Sequence, residues 1–211
     1  MRAKNLAKFT PHQRQPDLTK QISTKVHNQN SMIPRSVRLR DGREVEIRFR
    51  RKDDAENLYE MYSSMSPEAL EWVMAPYTRE LIDRWFSLDD QVIAIVATSG
   101  DWIVGHSAAF MYEHPRFKGC SDLGIQLHQD FHGVGLGSMM TELLIQLATD
   151  AGVHRLSLRV VSENKAARNL YEKHEFEVEG KMRDAFYGRD EQYYDMLVMG
   201  RLLGDKFSSQ R

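Results

Sequence analysis

At 211 residues and 24.5 kDa the chain is large enough for one well-buried core. It is 41% hydrophobic and 28% charged, and no apolar run approaches the roughly 18 residues that mark a membrane-spanning helix. The single cysteine, Cys120, excludes an internal disulfide framework and fits a reducing, cytoplasmic setting.

Charge is unevenly placed. Residues 1–40 hold nine Lys/Arg and one acid, which leaves twenty Lys/Arg against twenty-nine Asp/Glu in the rest. Residues 1–33 are rich in Gln, Asn, Ser, Thr and Lys without steady periodicity, and read as a basic, disordered N-terminal extension ahead of a folded domain at 34–205. Asp41-Gly42, flanked by Ser36–Arg40 and Glu44–Phe49, predicts a hairpin. Asp53 and Asp54 open a helix in which Ala55, Leu58, Met61, Tyr62 and Met65 share one face. Ser66-Pro67 ends it and predicts a second helix, with serine as cap and proline in the first turn. Thr78 is expected to cap a third, short helix carrying Leu81 and Trp85. Strands are expected at 91–98 and 102–111, joined by Ser99-Gly100-Asp101, and again at 122–128. Leu136, Met139, Met140, Leu143, Leu144 and Leu147 then recur at helical spacing, and Gly152 stops that helix. A strand at 156–160, a helix at 164–173 and strands at 176–182 and 192–202 complete an α+β order with one βαβ-like half.

Chemistry concentrates in two places. The turn His132-Gly133-Val134-Gly135-Leu136-Gly137-Ser138 follows a strand and opens a long helix. Glycines let backbone N–H groups approach an anion closely, and the helix N-terminus adds unpaired donors and partial positive charge, so a pyrophosphate is the natural guest. The alternating glycines do not match the dinucleotide G-x-G-x-x-G, and no lysine stands beside Ser138 as a P-loop requires. The second place is the helix on which Asn164, Ala167, Arg168 and Tyr171 share one face.

Together these residues resemble the GNAT acetyltransferase superfamily over about residues 44–202. Leu127 to Gly137 is similar to its pyrophosphate motif, and Asn164 to Phe176 to its second motif. The resemblance implies an α+β, GNAT-type fold: a mixed six- to seven-stranded splayed sheet with flanking helices. It implies acetyl-CoA as co-substrate and no metal. The strand around Ile125, Gln126 and Leu127 would pair by backbone with the pantetheine arm, and the turn from His132 to Ser138 would hold the phosphates. Asn164, Ala167, Arg168 and Tyr171 would line the cofactor, Tyr171 protonating the departing sulfur. There are departures. His132 stands where the family usually has Arg or Gln, and Val134 where a basic residue is common, so backbone amides are expected to carry most of the phosphate binding. Glu175 replaces the glycine usual before Phe176, so that turn is expected to be strained or rebuilt.

An amine with a pKa of about 10.4 is almost wholly protonated at neutral pH, so direct attack in a ternary complex needs a base. Asp122 is the candidate, with Glu113 as an alternative, and a backbone N–H near Leu127 is expected to serve the oxyanion. His128 and His132 straddle strand and loop rather than one helical face, so zinc is not expected. For the acceptor, Val37–Phe49, Arg51–Asp54 and Ser66–Glu68 resemble prokaryotic protein-lysine acetyltransferases. Glu179–Met196 is similar to ribosomal-protein N-terminal, amino-acid and herbicide N-acetyltransferases. A protein lysine or N-terminal amine is the main expectation. The alternatives are a small amine (polyamine, amino acid or antibiotic) and a non-catalytic acetyl-CoA sensor. Residues 64–90 would shape the acceptor pocket, with Trp72, Tyr77 and Trp85 as candidate walls and core packing as their alternative. The basic tail lacks interleaved aromatics, which disfavours nucleic acid; no membrane partner is expected, and a homodimer is compatible with this reading.

Overall fold

The computed structural model describes residues 33–88 and 91–204. The basic extension expected at 1–33 lies outside the described residues except for Ile33, which is buried in the main core.

The strands are β1 (Arg35–Arg38), β2 (Glu44–Phe49), β3 (Val92–Ser99), β4 (Trp102–Met111), β5 (Cys120–Leu127), β6 (Arg155–Val161), β7 (Glu177–Tyr187) and β8 (Tyr193–Leu202). The helices are α1 (Ala55–Ser63), α2 (Arg79–Ser87), α3 (Leu136–Asp150) and α4 (Lys165–Lys173). All eight strands join one sheet in the order β1-β2-β3-β4-β5-β6-β8-β7, more than the six or seven expected, because β1 pairs with β2 along its whole length. The hairpin between them closes where Leu39 N–H donates to Arg43 C=O at 2.8 Å, with Gly42 at φ +90°.

Strand register sorts the side chains onto two faces. Arg48, Val96, His106 and Gln126 lie in one row across β2 to β5, and Ala94, Ala108 and Gly124 in the next. These rows face α1 and α2, whose Leu58, Met61, Tyr62 and Ile82 cluster with Val96 and Ile103. Ile47, Ala97, Gly105 and Leu127 form a row on the other face. There Leu136, Met140, Leu144 and Leu147 of α3, with Tyr171 of α4, complete the larger core.

Thr78 caps α2 as expected, its Oγ1 accepting from Leu81 N–H at 3.3 Å. The helix expected after Ser66-Pro67 does not form. Ser66 does cap one turn, its Oγ accepting from Ala69 N–H at 3.2 Å, but the chain then leaves the helical path and seats Trp72 against Tyr194 of β8, ring centroids 4.9 Å apart. Tertiary contact overrides a valid local start signal. Among the described residues no helix is long and apolar enough to cross a membrane.

Candidate active site

The sheet divides between β5 and β6, its one parallel pair. Pairing covers only Cys120 with Arg155, Ser121 with Leu156 and Asp122 with Ser157, although β5 runs on to Leu127 and β6 to Val161. Beyond Asp122 the strands part into a fork. His128 N–H donates to Val104 C=O at 3.0 Å, and the β4–β5 register is unbroken from Met111/Ser121 to Gly105/Leu127. Antiparallel alternation therefore turns the backbone groups of Gly124 and Gln126 towards β4, and those of Leu123, Ile125 and Leu127 into the fork. Of the residues expected along an extended ligand, Ile125 and Leu127 present their backbones there. Gln126 does not; its side chain stands on the α1/α2 face, in the row of His106.

Ahead of α3, Gly133 (φ +72°) and Gly135 (φ +96°) adopt conformations that L side chains resist, and Gly135 is the N-cap residue with no side-chain capping bond. Gly137 is needed for room: a Cβ there would lie 3.3 Å from Leu127 Cδ1 and 3.5 Å from Leu170 Cδ2. The backbone N–H groups of Gly133, Val134, Gly135, Leu136, Gly137 and Ser138 have no acceptor among the described residues. Successive unbonded donors at a helix N-terminus suit a diphosphate. Leu136 can contribute only its N–H, since its side chain is fully buried. His132 has a different use: its Nε2–H donates to the fork-facing Leu127 C=O at 2.9 Å. At the far side of the turn Lys173 Nζ donates to Ser138 Oγ at 2.9 Å. The Ser138 hydroxyl in turn reaches His174 Nε2 at 2.8 Å, and burial, with the neighbouring Lys173 charge, lowers the His174 pKa.

Asn164 caps α4, its Oδ1 accepting from Ala167 N–H at 3.0 Å, which leaves its amide NH₂ as a donor. Arg168 donates from Nη1 to Ser162 C=O at 3.1 Å and lies 3.7 Å from Glu172, so it braces its own helix. Tyr171 is buried against Phe176, and burial pushes its phenol well above the usual value; its hydroxyl has no hydrogen-bond partner among the described residues. Glu175, where glycine was the usual residue, sits at φ +60°. The turn is not rebuilt: Arg201 clamps it, with Nη1 on His174 C=O and Nη2 on the Glu175 carboxylate, both at 2.7 Å.

On the α1/α2 face Asp122 lies where the fork opens, and its Oδ2 accepts from Tyr112 OH at 2.7 Å. That hydrogen bond, with burial second, raises the Tyr112 pKa. One step along β6, Arg159 is exposed, and it makes no hydrogen bond or ion pair among the described residues. Between them Gly124 has open space where a Cβ would be. The segment after α1 bridges the wide end of the fork, a pinned arch from β5 to the β7–β8 turn. It is tied to the end of β5 where Ser66 N–H donates to Gln129 Oε1 at 3.1 Å, and to the β7–β8 turn where Arg189 Nη1 donates to Pro67 C=O at 3.2 Å. Trp72 meets Tyr194 and Phe186 beneath it.

Of the three candidate walls only Trp72 belongs to the arch; the core alternative holds for the other two. Tyr77 and Trp85 pack with Tyr62 in the α1/α2 core, centroids 4.1 and 5.6 Å away. Glu113 is exposed beyond the end of β4, bonded to Gln91 Nε2 at 2.5 Å. Tyr112 and Arg159 carry little local sign in the sequence, and Lys173 only its place in the last turn of α4. A period-two reading from Phe110 through Tyr112, and from Ser157 to Arg159, was the one available signal.

A family model described as Acetyltransferase (GNAT) domain matches residues 44–177. L-amino acid N-acyltransferase MnaT of Escherichia coli (strain K12) is 26% identical over 155 residues, spanning 65% of this chain and 83% of that protein. L-amino acid N-acetyltransferase AaaT of the same organism is 28% identical over 113 residues, 53% of this chain and 67% of that one. The fold is that of Salmonella typhimurium yncA, solved with its cofactor acetyl-CoA, at a TM-score of 0.65 and 20% identity over 78% of this chain and 96% of the other.

Proposed function

The chain belongs to the GNAT acetyltransferase family, and we propose that it transfers the acetyl group of acetyl-CoA to the amine of a small amino acid-like compound rather than to a protein lysine. The observation that carries this reading is the fork itself, where the Asp122 carboxylate and the Arg159 guanidinium share one face, with the Trp72 arch at the wide end. A zwitterion offers an ammonium to the first and a carboxylate to the second. The pinned arch favours a small acceptor over a protein surface, and the names of the two Escherichia coli relatives support the same choice.

Bound acetyl-CoA supplies a thioester carbonyl open to attack by an amine. The unbonded amides of Gly133 to Ser138 hold its diphosphate, and the fork-facing backbones of Ile125 and Leu127, with the Asn164 amide, align its extended arm. The oxyanion donor expected near Leu127 is better met by Ile125 N–H, the first fork-facing donor past the paired stretch, since Leu127 lies five residues, about 16 Å, from Asp122. Asp122 receives the ammonium and takes its proton, directly or through water, as the C–N bond forms. Tyr171 gives a proton to the sulfur as the C–S bond breaks. Burial keeps its phenol protonated at neutral pH, and the same dry surroundings disfavour an unprotonated thiolate beside it.

A thiol-release screen tests the acceptor: L-amino acids should turn over with saturation, whereas peptides carrying only lysine amines should not. Turnover of the peptides alone would return the assignment to protein lysine. Tyr171→Phe should lower kcat by about 10²-fold or more while the dissociation constant for acetyl-CoA stays unchanged. Full turnover in that variant would remove Tyr171 as the acid.

A further inference from the structure

With Val134 in place of a basic residue, the glycine turn carries no strong cation of its own. The β1–β2 hairpin delivers one. Its tip docks on the turn through three contacts distant in sequence. Arg40 N–H donates to Val134 C=O at 3.1 Å, Arg43 Nη2 donates to Asp130 C=O at 2.6 Å, and the Arg43 guanidinium lies 4.0 Å over the Phe131 ring. Arg43 is further held by Asp41, so it is occupied. Arg40 is not: its side chain is exposed and makes no hydrogen bond or ion pair among the described residues. It lies along Gly135, with Nε 3.5 Å and Cδ 3.8 Å from the position of a Cβ there. Gly135 is the N-cap of α3, amid the unbonded amides. A cation at a helix N-terminus opposes the helix dipole and is favourable only where an anion lies between them.

We propose that Arg40 is a cofactor-positioning residue that pairs with the diphosphate of acetyl-CoA, supplying from the hairpin the side-chain charge that the turn lacks. The contact is a charge-assisted hydrogen bond of guanidinium to phosphate oxygen, and no covalent step involves it. It rests on the reading of the turn as the acetyl-CoA site. Arg40→Ala leaves the backbone bond to Val134 in place, so the hairpin keeps its dock.

The test is calorimetric titration of the full chain and its R40A and R40K variants with acetyl-CoA and with 3′-dephospho-acetyl-CoA, at low and high salt. R40A should bind both ligands about tenfold or more weakly at low salt, R40K should recover part of the loss, and the gap should narrow as salt rises. In steady-state assays KM for acetyl-CoA should rise by the same factor with kcat retained, and the melting temperature should not move. Equal binding by R40A and the unaltered protein would overturn the proposal while leaving the cofactor site intact. A loss seen with acetyl-CoA but absent with the dephospho analogue would overturn it too, by moving Arg40 to the 3′-phosphate. Failure of the unaltered protein to bind either ligand would instead remove the cofactor reading, and this proposal with it.

Discussion

Against α3 and α4 the sheet offers Ile47, Ile95, Ala97, Leu123 and Leu158, and its buried polar side chains there are small hydroxyls. Ser107 and Ser121 return theirs to the carbonyls of Gly124 and Phe110 at 3.0 and 2.9 Å. Against α1 and α2 the same strands bury Arg50 and His106, with Asp54 and Tyr62 facing them from the chain that covers the sheet. Arg48 clasps Asp54 with two bonds of 2.7 Å. His106 lies between Arg50 Nη1 at 3.4 Å and the Tyr62 hydroxyl at 3.1 Å, under the stacked Trp85 ring. Arg50 can only donate, so His106 Nε2 accepts and the ring's proton sits on Nδ1, directed at Tyr62. One face is a close-packed platform that fixes the glycine turn and the fork. The other is a directional polar network beneath the proposed acceptor side, where position matters more than packing density.

The largest predicted effect tests the platform. Leu144 is fully buried at the middle of α3, and Leu144→Ala should destabilise the protein by about 2–5 kcal/mol, through lost transfer energy and the cavity left behind. Urea denaturation should show the midpoint falling with little change in slope. A loss below about 1 kcal/mol would mean that α3 collapses readily onto the sheet, and the contrast between the faces would fail.

The polar face should show itself through pH. Burial, reinforced by the Arg50 charge, pushes His106 from its ordinary 6.5 down to about 3. The folded ring stays neutral while the unfolded chain binds a proton below about pH 6.5, so this contribution to stability is complete above that pH. It is lost as pH falls from about 6.5 towards 3, at up to about 1.4 kcal/mol per pH unit. Among the described residues Asp54 is the other buried group of this face that titrates on the acid side. Burial raises its pKa, but bonds from Arg48 and the Arg51 N–H outweigh that and lower it, so its own loss begins only below the ordinary carboxylate range. Between pH 6.5 and 4.5 the slope on this face therefore belongs to His106, while His174 on the other face, its pKa also lowered by burial, adds a part that His106→Gln leaves in place. In His106→Gln the slope should flatten by close to one proton, measured by chemical denaturation across that window. An unchanged slope would show that His106 titrates normally in the folded protein.

The two faces also differed in how far the sequence disclosed them. The glycine turn and the Asn164–Tyr171 helix were legible because each is local: glycine at φ above zero, a strand feeding a helix, an i, i+3, i+4, i+7 face. The buried His106 was not, because nothing in the Gly105–His106–Ser107 stretch of β4 announces that Arg50 and Tyr62, 56 and 44 residues away, will meet it. Arg40 was hidden for the same reason. It read as the last residue of the first hairpin strand, and only the docking of that hairpin's turn on Val134 brings it to α3. The failed helix after Ser66 shows the converse, a correct local signal defeated by the seat that Tyr194 and Phe186 offer Trp72.

The smallest effect lies where the platform breaks a local rule that the sequence did reveal. Glu175 follows α4 at φ +60°, a conformation that is unfavourable for a residue with a Cβ by about 1–2 kcal/mol. Its N–H is held by Glu172 C=O at 3.0 Å, and Phe176 N–H by Tyr171 C=O at 3.0 Å, so the backbone is fixed whichever residue stands there. Glu175→Gly removes the strain but also the ion pair to Arg201, which is mostly exposed on the Glu175 side and worth little. It also frees the unfolded chain, which offsets part of the gain. The net should be a stabilisation of about 0.5–1 kcal/mol, visible as a small rise in melting temperature. Glu175→Ala keeps the strain and loses the pair, so it should be neutral or slightly destabilising. Should both variants lose stability equally, the Arg201 clamp rather than backbone conformation would be what holds this turn, and with it Tyr171, in place.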